Sequence, residues 1–141
     1  MALASILILY VGIGILAAIG TVSITRSHHS PRGERIFLTL LLIPIAALYL
    51  AFSSYFGAPA AFDTEMWHVA GMTLLALLGL RFPMLAVLGY VLHGGWDIIH
   101  ELSAIRGPLL DHPLTPIPLA YGVFCATYDW CIAAYLLRER P

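Results

Sequence analysis

Lysine is absent: all 7 basic residues are Arg, and against 8 acidic residues they leave a formal charge of −1. A chain with no basic excess has no electrostatic footprint for nucleic acid. Cysteine is scarce too. The 2 that occur, Cys125 and Cys131, fall on different faces of one helix, which excludes a disulfide framework and a CxxC metal site. Charged residues of both signs make up only 11% of the chain, against 60% hydrophobic residues and a mean hydropathy of +0.89. A water-soluble domain is about half apolar and a quarter charged, so the composition belongs to a membrane protein. Gly12 and Gly14 lack the third glycine of a dinucleotide fingerprint and follow no strand, so nothing points to a nucleotide cofactor.

What is present is a series of apolar runs. The first, residues 2–25, has neither a basic leader nor a small-residue cleavage site and is expected to be a retained helix. Four more are expected over residues 36–56, 65–80, 84–103 and 116–137, with Pro44 inside the second and Asp63 or Thr64 capping a short third. The linkers are a polar turn from Arg26 to Arg35, a loop from Gly57, a tight Arg81-Phe82-Pro83 turn, and a proline-containing loop from Arg106 to Thr115. A span takes about 20 residues, so five use about 100 and leave about 40 for ends and loops. The expectation is therefore an all-α, polytopic integral membrane protein: one domain over residues 1–141, a bundle of five transmembrane helices. With the N-terminus outside and the C-terminus cytoplasmic, Arg26, Arg32, Arg35, Arg81, Arg138 and Arg140 fall inside, and Arg106 alone falls outside. The composition suits a multi-pass protein of a bacterial inner membrane.

Polar residues concentrate in the fourth and fifth spans. His93, Asp97, His100 and Glu101 are spaced to share one helical face, and so are Tyr121, Cys125, Tyr128 and Asp129. A charged Asp near a helix centre costs roughly 2.5–3.5 kcal/mol on insertion scales, so neither stripe is expected to face lipid. Counting about 1.5 Å per residue from the external ends, His93 and Cys125 lie about 14 Å deep and Asp129 about 20 Å. Trp67 and His68 lie near the outer end of the third span. A polar cleft between the third, fourth and fifth helices, opening outward, follows from these positions.

Two chemistries suit such a cleft. Imidazole and carboxylate ligands fit Zn or non-haem Fe, with His68, His93, Asp97 and His100 as the metal set. Glu65-x-x-His68 and Asp97-x-x-His100 also place a carboxylate one turn from an imidazole on two helices, a weaker di-iron-like pattern. Without a metal, His93, Asp97, Asp129 and Glu101 form an acid and base set, with Asp129 relaying protons from below. Trp96, Tyr121, Cys125 and Tyr128 would line the substrate. A thiol in an apolar helix is a poor nucleophile, so Cys125 is placed in the lining. The plainer reading is that intramembrane His and Asp join helices, at about 0.6 kcal/mol per hydrogen bond, that Glu101 is interfacial, and that the tyrosines pack. Four costly groups on two facing stripes exceed what helix association needs.

The leading expectation is thus a membrane-embedded enzyme acting on a lipid or other lipophilic substrate, with a divalent metal as its candidate cofactor and a second copy of the chain as a candidate partner. Two alternatives use the same residues: proton or ion transport along the stripe, and a b-type haem protein with two axial His such as His68 and His100. Transport lacks a path, since Trp130, Cys131 and aliphatics follow Asp129. The run from His93 to His100 together with Tyr128-Asp129-Trp130 resembles small bacterial multi-span proteins, and in a general way polytopic lipid hydrolases and hydroxylases. That resemblance assigns no residue a role.

Overall fold

The computed structural model describes residues 1–139, so Arg140 lies outside the described residues. Among these the chain is all-α, with five helices and no strand: α1 (Ala2–His28), α2 (Pro31–Tyr55), α3 (Pro59–Gly79), α4 (Pro83–Arg106) and α5 (Tyr121–Arg138). Proline opens α2, α3 and α4, where its missing N–H costs nothing and its fixed φ suits the first turn. The Ser30 side chain accepts the Gly33 N–H to cap α2. Gly107 ends α4 with φ at 95°, a conformation that only glycine adopts freely.

The helix starts differ from expectation in three places, each because of proline. α2 begins at Pro31 and absorbs Arg32 to Arg35. α3 begins at Pro59 with Ala58 at its cap, so Asp63 and Thr64 lie within the helix; at 21 residues α3 is not short. Residues 116–120 stay outside α5, because Pro116 and Pro118 interrupt the backbone bonding that a helix there would need. Pro44 does not end α2.

Helix α4 lies at the middle of the bundle, against α5, α3 and, more lightly, α2, while α1 rests mainly on α5. Two glycines lie directly against the backbone of a neighbouring helix. A Cβ on Gly122 would strike the Asp97 carbonyl, and one on Gly14 would come within 2.7 Å of the Phe124 carbonyl. Along its axis the bundle has two layers. Toward the α1–α2 turn sits an apolar core of Leu38, Leu42, Ala46, Met72, Ala76, Val87, Tyr90 and Ile132, in which the Tyr90 hydroxyl donates to the Leu38 carbonyl at 2.6 Å. Toward the α2–α3 turn the interior is polar. Arg26, Arg32, Arg35, Arg81 and Arg138 lie at the apolar-core end, where Arg26 pairs with Glu139 at 3.3 Å and the Tyr135 hydroxyl donates to Glu34 at 2.6 Å.

The outer surface inverts the soluble pattern. Ile8, Leu16, Ile19, Ile24, Leu74 and Leu77 are exposed, while Glu65, His93, Asp97, His100, Glu101 and Asp129 are buried. α1 and α2 are long and apolar enough to cross a membrane. The other three helices carry the imidazoles and carboxylates of the polar layer, Glu65, His93, Asp97, His100, Glu101 and Asp129.

Candidate functional site

The stripe on α4 turns wholly inward, and α5 presents Asp129 to it. His93 Nδ1 bonds Asp129 Oδ2 at 2.6 Å and lies 3.3 Å from Asp97 Oδ2. From α2, the Tyr49 hydroxyl donates to Asp97 Oδ1 at 2.5 Å. One imidazole thus sits between two carboxylates, one of which a phenol holds in place. Asp97 and Asp129 have no exposed surface and His93 only 1%. Ligand atoms of His93, Asp97 and Asp129 all fall within 4.8 Å of one another. His93 Nε2, Asp97 Oδ2 and Asp129 Oδ1 have no hydrogen-bond partner, and neither does His68 Nε2. Buried polar atoms are normally satisfied, so these four are positions at which a ligand, ion or water would be held.

His68 on α3 borders this cluster. Its ring stacks on Trp96 at 4.8 Å and lies 5.2 Å from the His93 ring, between centroids. It therefore walls the centre and points an unpartnered nitrogen into buried space.

A second cluster lies one turn outward, around Glu65. Its carboxylate accepts from Trp96 Nε1 at 3.1 Å and from the Thr115 N–H at 3.1 Å, and pairs with His100 Nε2 at 2.9 Å. His100 Nδ1 reaches the Trp96 carbonyl at 3.1 Å. Both nitrogens of His100 are engaged, so neither is open to a metal or a haem iron. This cluster joins α3, α4 and the loop of residues 107–120. A cavity of about 520 Å³ lies between that loop and α4, with His100, Ser103, His112 and Thr115 among its walls.

Glu101 has a different place. It accepts the N–H groups of Ala120 at 2.9 Å and Gly122 at 3.0 Å, the otherwise unbonded donors at the start of α5. A carboxylate there also complements the positive end of the helix dipole. Ala120 has φ at 63°, a left-handed conformation unusual for a residue with a side chain, and its bond to Glu101 helps hold it. Glu101 is buried rather than interfacial, and it positions α5 and with it Asp129.

Of the residues expected to line a substrate, Trp96 is committed to Glu65 and His68, and the Tyr128 hydroxyl donates to Thr21 on α1 at 3.2 Å. Tyr121, Cys125 and Tyr128 line a crevice of about 340 Å³ whose opposite wall is α2, and Asp129 belongs to the same lining. The cleft expected among α3, α4 and α5 is thus closed on a further side by α2. One member of the polar interior was not among the expected site residues: Tyr49 stands alone in an apolar run with no partner in sequence to signal it. Glu65 was expected only in the weaker Glu65-x-x-His68 pattern, at the start of the third helix.

This cluster lies within the part of the chain that matches a known family model. Residues 7–141 match a family of unknown function (DUF6010). The chain belongs to this family. The match takes in α2 to α5 entire, and with them Tyr49, Glu65, His93, Asp97 and Asp129. No curated protein and no solved structure matches the chain.

Proposed function

We propose that the chain is a membrane-embedded enzyme acting on a lipophilic substrate at a metal centre formed by His93, Asp97 and Asp129. The observation that carries this reading is the buried cluster itself: one imidazole and two carboxylates that can bring ligand atoms within 4.8 Å of one another, each of the three side chains carrying one unpartnered polar atom. Two buried acids beside an imidazole are expensive in an apolar surround unless a cation or a proton compensates them. The donor set suits Zn or Fe. An ion there would supply Lewis-acid or redox chemistry. The protein's own part is positional. Tyr49 fixes Asp97, Glu101 fixes the start of α5 and so Asp129, and His68 and Trp96 close the cluster toward α3.

The membrane reading rests on the apolar exterior, on the two helices long enough to span, and on the Arg residues gathered at one end. Five spans with the N-terminus outside put that Arg-rich end in the cytoplasm and the polar layer in the outer half of the bilayer. Transport is the weaker use of this layer, because Leu38, Leu42, Tyr90 and Ile132 seal the bundle below it.

The test is a metal analysis of protein purified from membranes without chelators, beside His93→Ala, Asp97→Ala and, as a control outside the cluster, His112→Ala. Near-stoichiometric Zn or Fe in the wild type and in His112→Ala, lost from the other two, is expected. Full metal retention in both cluster variants would sink the assignment. A metal-free wild type would favour acid and base work by the same residues, for which the 2.6 Å His93–Asp129 bond is already suited.

A further inference from the structure

We infer that the crevice between α2 and α5 admits the hydrocarbon chain of a membrane lipid sideways from the bilayer, and that the group that reacts lies along that chain rather than in the headgroup. The inference rests on the enzyme reading above and adds to it the substrate class and the route of entry.

Thr21 of α1 borders the crevice, and its two main walls differ in kind. α2 contributes Phe37, Leu41, Ile45 and Leu48, wholly apolar and spaced along one face. α5 contributes Tyr121, Cys125, Tyr128 and Asp129, the polar stripe, with Phe124 among them. The stretch from residue 37 to residue 48 rises about 16 Å along the helix, so the crevice is a slot running with the helix axes, the direction in which lipid chains lie. Phe37 and Leu48, at the two ends of the α2 wall, are both about two-fifths exposed, and Leu41 and Ile45 between them are half-buried, so the slot reaches the surface of the bundle. In a bilayer that surface faces hydrocarbon.

The slot leads to the centre. Asp129 has no exposed surface, lines the crevice and bonds His93, and its Oδ1 has no partner. Asp129 is the residue that the crevice lining and the cluster share, and it marks where the slot meets the chemistry. The depth of that point decides the substrate. Asp129 is eight residues from the start of α5, about 12 Å below the outer end of the helix. A lipid lying in register with the bilayer brings its chain to this depth and leaves its headgroup near Tyr121 and the 107–120 loop. A fatty acyl or isoprenoid chain with a double bond or an oxygen substituent partway along it is the substrate class this geometry selects. A substrate reacting at its headgroup would have to sink a polar group about 12 Å into hydrocarbon.

The experiment uses the full-length protein in phosphatidylcholine vesicles containing trace amounts of either of two photoreactive fatty acids, one with a mid-chain diazirine and one with the diazirine next to the carboxyl group. Adducts are mapped by peptide mass spectrometry, and metal is measured on the same preparations. With the mid-chain probe, Asp129, Cys125, Leu41 and Ile45 are expected to label at least tenfold more than Leu74 and Leu77, which face outward on α3. With the carboxyl-proximal probe, labelling should move to Tyr121 and Leu48. Ile45→Trp and Leu41→Trp, which fill the slot without touching the cluster, should cut mid-chain labelling at Asp129 at least tenfold with metal content unchanged.

Labelling no denser in the crevice than on α3 would overturn the route. Carboxyl-proximal labelling at Asp129 would overturn the mid-chain reaction. The positional pattern in the wild type decides both points even if a Trp variant fails to fold. Metal absent from a protein whose crevice labels as expected would count against the metal centre alone, so the two readings fail separately.

Discussion

At the scale of single residues, the centre depends on hydrogen bonds that keep acids in place in an apolar interior. Tyr49 is the clearest case. Its hydroxyl is the one hydrogen-bond donor found on Asp97 Oδ1, and Asp97 has no access to water. Tyr49→Phe removes that donor while preserving ring volume, so it should destabilise the protein by about 1–3 kcal/mol, the cost of an unsatisfied buried acceptor. Denaturation followed by helical circular dichroism in detergent measures this. The loss should be smaller in an Asp97→Asn background, where the acceptor is no longer a carboxylate. Equal losses in both backgrounds would mean that Tyr49 acts through packing alone.

At the scale of elements, the contact between α4 and α5 controls the geometry, because it carries His93 and Asp97 on one side and Asp129 on the other. The helices approach closely at Gly122, where an added Cβ would meet the Asp97 carbonyl and come within 2.8 Å of Glu101 Cβ. The obstacle is largely backbone and cannot rotate aside. Gly122→Ala should therefore cost about 1–3 kcal/mol by overpacking. It should also loosen the cluster, reducing metal content more than Gly12→Ala, a control at which an added Cβ meets nothing within 4 Å. Parallel unfolding and metal measurements on the two variants provide the comparison. Equal metal content would show that the cluster tolerates a shift of α5.

At the scale of the whole molecule, the proposed orientation in a membrane rests on the Arg-rich end. A fluorescent protein fused after the C-terminus should be bright, as in the cytoplasm, and alkaline phosphatase inserted after Leu110 in the 107–120 loop should be active, as outside. The opposite pair of results would reverse the bundle and place the polar layer in the inner leaflet. The same architecture accounts for the crevice beside the polar layer. α1 packs on α5 and only lightly on α2, which leaves a gap along the α2–α5 seam.

Helical periodicity alone placed His93, Asp97, His100 and Glu101 on one face, and the energetic cost of charge in hydrocarbon alone argued that this face turns inward; both arguments are local and need no knowledge of neighbours. The gathering of Arg at the helix ends and the apolar runs were legible for the same reason. Which acid meets which imidazole was not. His100 pairs with Glu65 and leaves His93 to Asp129, because α3 and α5 flank α4 at different heights and angles, and rotation about a helix axis is set by packing. Glu101 turned from a candidate acid into the cap of α5 because prolines delay that helix until Tyr121 and leave its first N–H groups needing an acceptor. Tyr49 joined the centre from a helix that sequence reads as plain hydrocarbon. Sequence thus determines what each helix must hide, a property of its own side chains in a given solvent. Only the tertiary arrangement decides against what it is hidden, since that depends on the relative rotation and depth of separate helices.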